Sequence, residues 1–133
     1  MNRKILVIAA LMGGLSVILG AFGAHALKEM ISPEAQATFE TGVRYQMYHA
    51  LLLLFVGQID NLNSKTKKVV LWMVAVGVLC FSGSIYGLST NELTGFDFKK
   101  IALITPLGGV LLITAWAILL ITFLKEGADK SQF

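Results

Sequence analysis

Charge is what this sequence has least of. Only 14% of its 133 residues are Asp, Glu, Lys or Arg, against about 25% in an average soluble domain. A soluble chain of this length keeps roughly a third of its unfolded surface exposed, and there are too few charges here to cover it. Cysteine is nearly absent: Cys80 stands alone, which excludes an intramolecular disulfide. With His25 and His49 the only histidines, no Cys/His spacing of a structural metal site can be drawn, and no metal is expected. Two prolines, Pro33 and Pro106, leave long stretches without a helix breaker. No Ser/His/Asp or Cys/His constellation, phosphate-binding loop, zinc-protease motif or pair of intramembrane carboxylates is found. Catalysis is disfavoured on these grounds, and no cofactor is expected.

What the chain does hold is hydrophobic residues, 56% of the total, gathered into four runs at 5–27, 39–59, 69–88 and 101–124. About 20 residues rising ~1.5 Å each cross the ~30 Å hydrocarbon core, so each run is long enough to span once. Residues 50–56 (ALLLLFV) and 110–113 (VLLI) are apolar all round, whereas a soluble helix keeps a polar face. The expected fold is all-α: an integral membrane bundle of four antiparallel transmembrane helices, about 5–27, 33–59, 69–88 and 101–124, in one domain over 1–133. The first run follows Arg3 and Lys4 and precedes Ala24-His25-Ala26, which has the look of a signal cleavage site. At about 20 residues it exceeds the ~7–15 of a signal h-region, so it is read as a retained helix.

The eleven Lys and Arg report topology, since cytoplasmic flanks collect positive charge. Arg3, Lys4, Lys65, Lys67, Lys68, Lys125 and Lys130 fall on one side; Lys28, Arg44, Lys99 and Lys100 fall on the other. Seven against four places both termini in the cytoplasm, with Lys99 and Lys100 the dissenting pair. No basic patch is interleaved with exposed aromatics, so a nucleic-acid partner is not expected.

Ser32-Pro33-Glu34 is a helix start: Ser as N-cap, Pro in the first turn, and an acid near the positive dipole end. Residues 60–68 (DNLNSKTKK) read as a polar turn, 89–100 as a loop at the opposite end, and 125–133 as a loose tail. Trp72 and Tyr86 sit near the two ends of the third run, as in an interfacial aromatic belt. No internal repeat is evident.

Small residues recur where helices would touch. Ser16, Gly20 and Ala24 repeat every four positions with Gly13 close to the same face; Gly83 and Gly87 lie in 81–87 (FSGSIYG); Gly108 and Gly109 follow Pro106. Such stripes let backbones approach closely in lipid, within one subunit or between subunits.

Polar residues inside a membrane are costly and usually face protein or water. On the second helix Gly42, Tyr45, Gln46 and His49 share one face, and Glu40, Arg44 and Tyr48 another. Glu40 and Arg44 have the i, i+4 ion-pair spacing, read as an interfacial anchor with Arg44 snorkelling outward, or more sharply as a polar lining for a ligand or ion pathway. His25 and His49 differ in depth by roughly 10 Å, counting ~1.5 Å per residue, which argues against a shared metal or axial haem ligation. Thr105-Pro106 either kinks the fourth helix or starts it, with Thr105 as N-cap; a start would turn free N–H groups toward an anion.

Four segments in order, 20–28 (GAFGAHALK), 45–54 (YQMYHALLLL), 81–87 (FSGSIYG) and 104–109 (ITPLGG), resemble the small bacterial membrane proteins grouped as domain of unknown function 423, related to eukaryotic transmembrane protein 256. Ala115, where glycine is expected, is a departure that relaxes close packing. The resemblance implies a four-helix protein of the inner or plasma membrane and supplies no activity or catalytic residue. It places His25, Arg44, Tyr45, Gln46, His49, Ser82, Ser84, Tyr86, Thr105 and Pro106 in the family's recognisable segments; these are the ligand or pathway candidates. The leading expectation is a non-catalytic protein that associates with membrane lipid, with itself as a homo-oligomer, or with a membrane-protein partner. The rivals are a small channel or carrier with a polar path along helix two, and a haem- or ligand-binding redox subunit.

Overall fold

Ser32 and Asn63 set where the second and third helices begin. In the computed structural model, which describes residues 2–95 and 97–130 without the Lys130 side chain, Ser32 Oγ accepts from Ala35 N at 3.1 Å. Asn63 Oδ1 accepts from Thr66 N at 2.8 Å. Each cap satisfies one of the backbone donors that a helix start leaves unpaired. The helices are α1 (Asn2–Ala24), α2 (Pro33–Gln58), α3 (Ser64–Ser89) and α4 (Ile104–Lys130), with short 3-10 turns at Leu27–Glu29, Asn91–Leu93 and Phe98–Ile101.

Several expected boundaries move. The Asn63 cap draws α3 back to Ser64, so the charged half of the supposed turn at 60–68 is helical. Lys67 there is buried, its Nζ donating to Asn2 Oδ1 at 3.0 Å. Helix α1 stops at Ala24, and Leu27 is buried in the 3-10 turn beyond it. Helix α4 runs past Leu124 to Lys130, so the supposed tail is helical as far as it is described; residues 131–133 of that tail lie outside the described residues.

The helices pack in chain order, α1 on α2, α2 on α3 and α3 on α4. Position numbers rise on one helix of a hairpin as they fall on the other: Gly57 meets Leu6, Gly13 meets Ala50, Gly20 meets Val43, and Gly23 meets Phe39. Gly77 likewise meets Leu112, and Gly108 meets Phe81. Both hairpins are antiparallel. The start of α1, the end of α4 and the turn at 59–63 therefore share one end of the bundle, the terminal end, and residues 25–32, 90–95 and 97–103 form the loop end. An apolar core of Ile5, Ala9, Leu53, Val56, Val70, Val74, Leu112 and Ala115 lies toward the terminal end.

Three helical stretches are long and apolar enough to cross a membrane by themselves: Asn2–Glu29, Ser64–Ser89 and Phe98–Asp129. The second helix falls short of the apolar run expected at 39–59, because it carries Glu40, Arg44, Gln46 and His49. Its 26 residues measure about 39 Å at ~1.5 Å per residue, and it lies against α1 and α3 with Gly42, Gln46 and His49 turned inward.

Helices α2 and α4 run parallel. Trp116 meets His49 across a separation of 67 residues, and the same offset aligns Gly42, Val43, Ala50, Leu52 and Leu53 with the identical Gly109, Val110, Ala117, Leu119 and Leu120. This partial likeness between helices escapes the eye in the linear sequence because the intervening positions differ.

Candidate functional site

Gln46 joins three helices. Its Nε2 donates to Met12 O of α1 at 2.8 Å, and its Oε1 accepts from the Tyr86 hydroxyl of α3 at 2.7 Å. One turn away, Ser82 Oγ donates to Gly42 O at 2.7 Å. Ser16 Oγ donates to Val43 O at 2.8 Å, tying α1 to α2. Ser84 and Thr105 share a hydrogen bond that ties α3 to α4. An unpaired polar group in hydrocarbon is expensive, and among the described residues no buried side-chain nitrogen or oxygen lacks a partner.

His49 completes the set. Its Nδ1 lies 2.7 Å from Tyr45 O and its Nε2 3.1 Å from Trp116 Nε1. A carbonyl only accepts and an indole only donates, so the imidazole is the neutral Nδ1–H tautomer with both nitrogens engaged. His25 is exposed at the loop end. His49 lies level with Gly13, whose neighbour is Ala50, which puts the two histidines about 18 Å apart along the bundle at ~1.5 Å per residue. The expected depth difference is thus larger than 10 Å, and the two cannot share an ion or a haem. Among the described residues no group of three or more His, Cys, Asp or Glu is placed to hold a metal ion.

Other candidates are redistributed. Tyr45 does not share the buried face of Gln46; it is 42% exposed, with its ring 5.1 Å from that of Phe81 and 5.7 Å from that of Tyr48. Tyr86 turns inward, against the expectation of an interfacial belt, and its ring sits 4.9 Å from Phe39. Pro106 falls in the first turn of α4, where a missing N–H costs no intrahelical bond. Thr105 is not a cap: its hydroxyl goes to Ser84, its N–H to Ala102 O, and the Leu107 N–H to Leu103 O. The donors supposed to face an anion are partly used by the preceding turn.

Of the small residues, Gly13, Ser16 and Gly20 face α2 of the same chain, but Ala24 is exposed and Gly23 takes its place, under the Phe39 ring. Gly87 lies under the ring of Phe98. Gly108 brings the backbones of α3 and α4 together: a Cβ there would stand 2.8 Å from Gly77 O and against Phe81 N. Gly109 only borders the Phe81 ring at 3.7 Å. Gly83 meets no other helix; it lines a shallow recess of about 270 Å³ with Gln46 and Tyr86. Gly42, placed on the polar face of the second helix from the sequence, lies beneath Tyr86 and Ile85, and Gly77 went unremarked although smallness was the signal that could have found it.

A groove of about 550 Å³ opens between α2 and α4, walled by Tyr48, Leu51, Leu52 and Phe55 on one side and Trp116, Leu119, Leu120 and Phe123 on the other. It starts beside the His49–Trp116 bond and runs toward the terminal end. Above it on the same face of α2, one and two turns toward the loop end, stand Arg44 and Glu40. Arg44 Nη2 is 3.4 Å from Glu40 Oε2, and the side chains are 59% and 45% exposed.

Long apolar helices, a polar set closed on itself and a groove open at the side define a small multi-pass helical membrane protein. The comparisons with known proteins agree. A family model described as "Protein of unknown function (DUF423)" matches residues 19–109. A UPF0382 membrane protein of Staphylococcus aureus is 38% identical over 123 residues, 92% of this chain and 97% of the relative. The UPF0382 membrane protein YwdK of Bacillus subtilis is 36% identical over 125 residues, 92% and 98% of the two chains. The UPF0382 inner membrane protein YgdD of Escherichia coli is 32% identical over 126 residues, 90% and 88%. No solved structure matches the chain. The chain belongs to the DUF423/UPF0382 family of small membrane proteins.

Proposed function

We propose that the protein is a non-catalytic component of the inner membrane that acts by holding membrane lipid at its α2/α4 face, with both termini on the cytoplasmic side. The observation that carries the reading is the contrast between the two kinds of surface. The buried polar side chains that would line a pathway or bind a cofactor are bonded to one another or to backbone, whereas the groove of about 550 Å³ is walled by apolar and aromatic side chains. In a bilayer the molecules that meet such a groove are acyl chains, and pockets of about 300–1,000 Å³ lined by apolar and aromatic groups are typical of ligand sites.

A channel or carrier along helix two gains less support. Gln46, His49, Ser82 and Ser84 would each have to break a bond of 2.5–3.1 Å before offering themselves to an ion. The inner-membrane placement follows the name of the Escherichia coli relative, and the orientation follows the charge bias, seven Lys and Arg at the terminal end against four elsewhere.

Native mass spectrometry of the protein gently extracted from its own membrane tests the reading. A reproducible added lipid mass is the expected result. A chain that flies bare, or carries a polar metabolite instead, overturns it.

A further inference from the structure

Among the described residues Arg44 has no partner of matching strength. Val43, its neighbour in sequence, packs between Ser16 and Gly20 of α1, which puts Arg44 about 8 Å inside the loop end of α1 at ~1.5 Å per residue. A charge there, facing lipid, is expensive unless it snorkels and finds an anion. What it finds among the described residues is one contact to Glu40 at 3.4 Å, long for a charge-assisted bond, which is usually about 2.7–2.9 Å. The guanidinium keeps most of its donors and points one turn toward the loop end.

One turn the other way is Tyr48, the first wall residue of the apolar groove. From Arg44 to Phe55 is eleven residues, about 16 Å along α2. A cation near one membrane boundary therefore stands at the head of an apolar trough that descends toward the opposite boundary. An amphiphile with an anionic head and a long alkyl chain matches both ends at once. The head that Arg recognises best is a planar or tetrahedral oxyanion taken through more than one N–H, and the oxyanion that bilayers carry at this depth is the phosphodiester of a glycerophospholipid.

We infer that Arg44 and the α2/α4 groove form one lipid site, in which the phosphate of a glycerophospholipid from the loop-end leaflet is held by Arg44 and one of its acyl chains lies along Tyr48, Phe55, Trp116 and Leu120. The inference rests on the lipid-holding reading above and adds the class of lipid, its leaflet and its head contact. Glu40 competes for the guanidinium and is displaced from it when the phosphate arrives.

The test uses the full chain in nanodiscs of phosphatidylglycerol and phosphatidylethanolamine, transferred to detergent and washed, with retained phospholipid counted per chain by mass spectrometry. Wild type is expected to keep about one. Arg44→Gln is expected to lower retention about tenfold, the equivalent of one charge-assisted hydrogen bond, and Leu120→Trp to lower it by filling the groove. Glu40→Gln is expected to keep its one lipid through a longer wash than wild type, a change that a purely structural ion pair would not produce. Arg44 and Glu40 are both exposed, so these variants keep the fold even if Leu120→Trp does not. Retention unchanged in Arg44→Gln overturns the site while leaving the lipid-holding reading standing. A retained species without phosphorus, such as a free fatty acid, overturns the phospholipid assignment. No retained lipid in wild type removes both.

Discussion

The indole of Trp116 donates to Nε2 of His49 at 3.1 Å, and that bond joins two helices otherwise separated by the apolar groove. It also decides what His49 can do. With Nδ1 committed to Tyr45 O at 2.7 Å, the ring has no lone pair left for a metal or haem iron.

Trp116→Phe removes the donor and leaves Nε2 unpaired near mid-bundle. Interhelical polar contacts in membranes contribute about 0.6 kcal/mol on average and at most ~1.7, so a loss of about 1 kcal/mol is expected in reversible unfolding in mixed micelles. His49→Ala combined with Trp116→Phe should cost less than the two changes summed, because each alone breaks the same bond. Strict additivity would show that the pair does not interact.

Gly108→Ala is expected to be among the worst single substitutions in the chain. Its Cβ would stand 2.8 Å from Gly77 O, a backbone atom with no rotamer to escape into, so α3 and α4 must part; overpacking of this kind costs about 1–3 kcal/mol. Gly14→Ala is the control, since a Cβ there meets nothing within 4 Å. Melting temperatures of the two variants in one detergent check the contrast, and equal values would count against the backbone contact.

A leucine at Gly20 would be driven into Val43 Cγ1, which already stands 3.3 Å from an added Cβ. Gly20→Leu is therefore expected to loosen the α1–α2 hairpin and lower the melting temperature while the particle mass in light scattering stays as in wild type. A change of oligomeric state at unchanged stability would return Gly20 to an intersubunit role.

Orientation can be read from cysteine chemistry, because Cys80 is alone. In a Cys80→Ala background, a cysteine at Glu92 should react with a membrane-impermeant maleimide in intact cells. A cysteine at Asn61 should react only after permeabilisation. The reverse pattern would place the termini outside.

The sequence carried much of this arrangement. Ser32-Pro33 marks the start of α2 because a cap is a local event, settled within four residues. The Gly13–Ser16–Gly20 stripe points at a partner for the same kind of reason. The stripe fails at Ala24 through geometry: steps of four drift by about 40° each, so Ala24 sits about 80° from Ser16, whereas Gly23, seven residues on, returns to within about 20°. Asn63 was hidden among other polar residues, and only its Oδ1 geometry marks it as the cap. The Trp116 partner of His49 and the Gly77 crossing lay further out of reach, since periodicity tells which way a side chain faces on its own helix and says nothing of what stands opposite.

The register shared by α2 and α4 bears on how the molecule could be divided. Two antiparallel hairpins meet along Gln46–Tyr86, Gly42–Ser82 and His49–Trp116, and the link between them turns through the exposed Asp60 and Asn61. Helices α1, α3 and α4 are each apolar enough to insert by themselves, α2 goes in as the second arm of its hairpin with α1, and the contacts between the hairpins ask nothing of the covalent link. Cut at that turn, the gene would encode two short polypeptides whose shared contacts, from Gln46–Tyr86 to His49–Trp116, are all still available to bring them together in the bilayer.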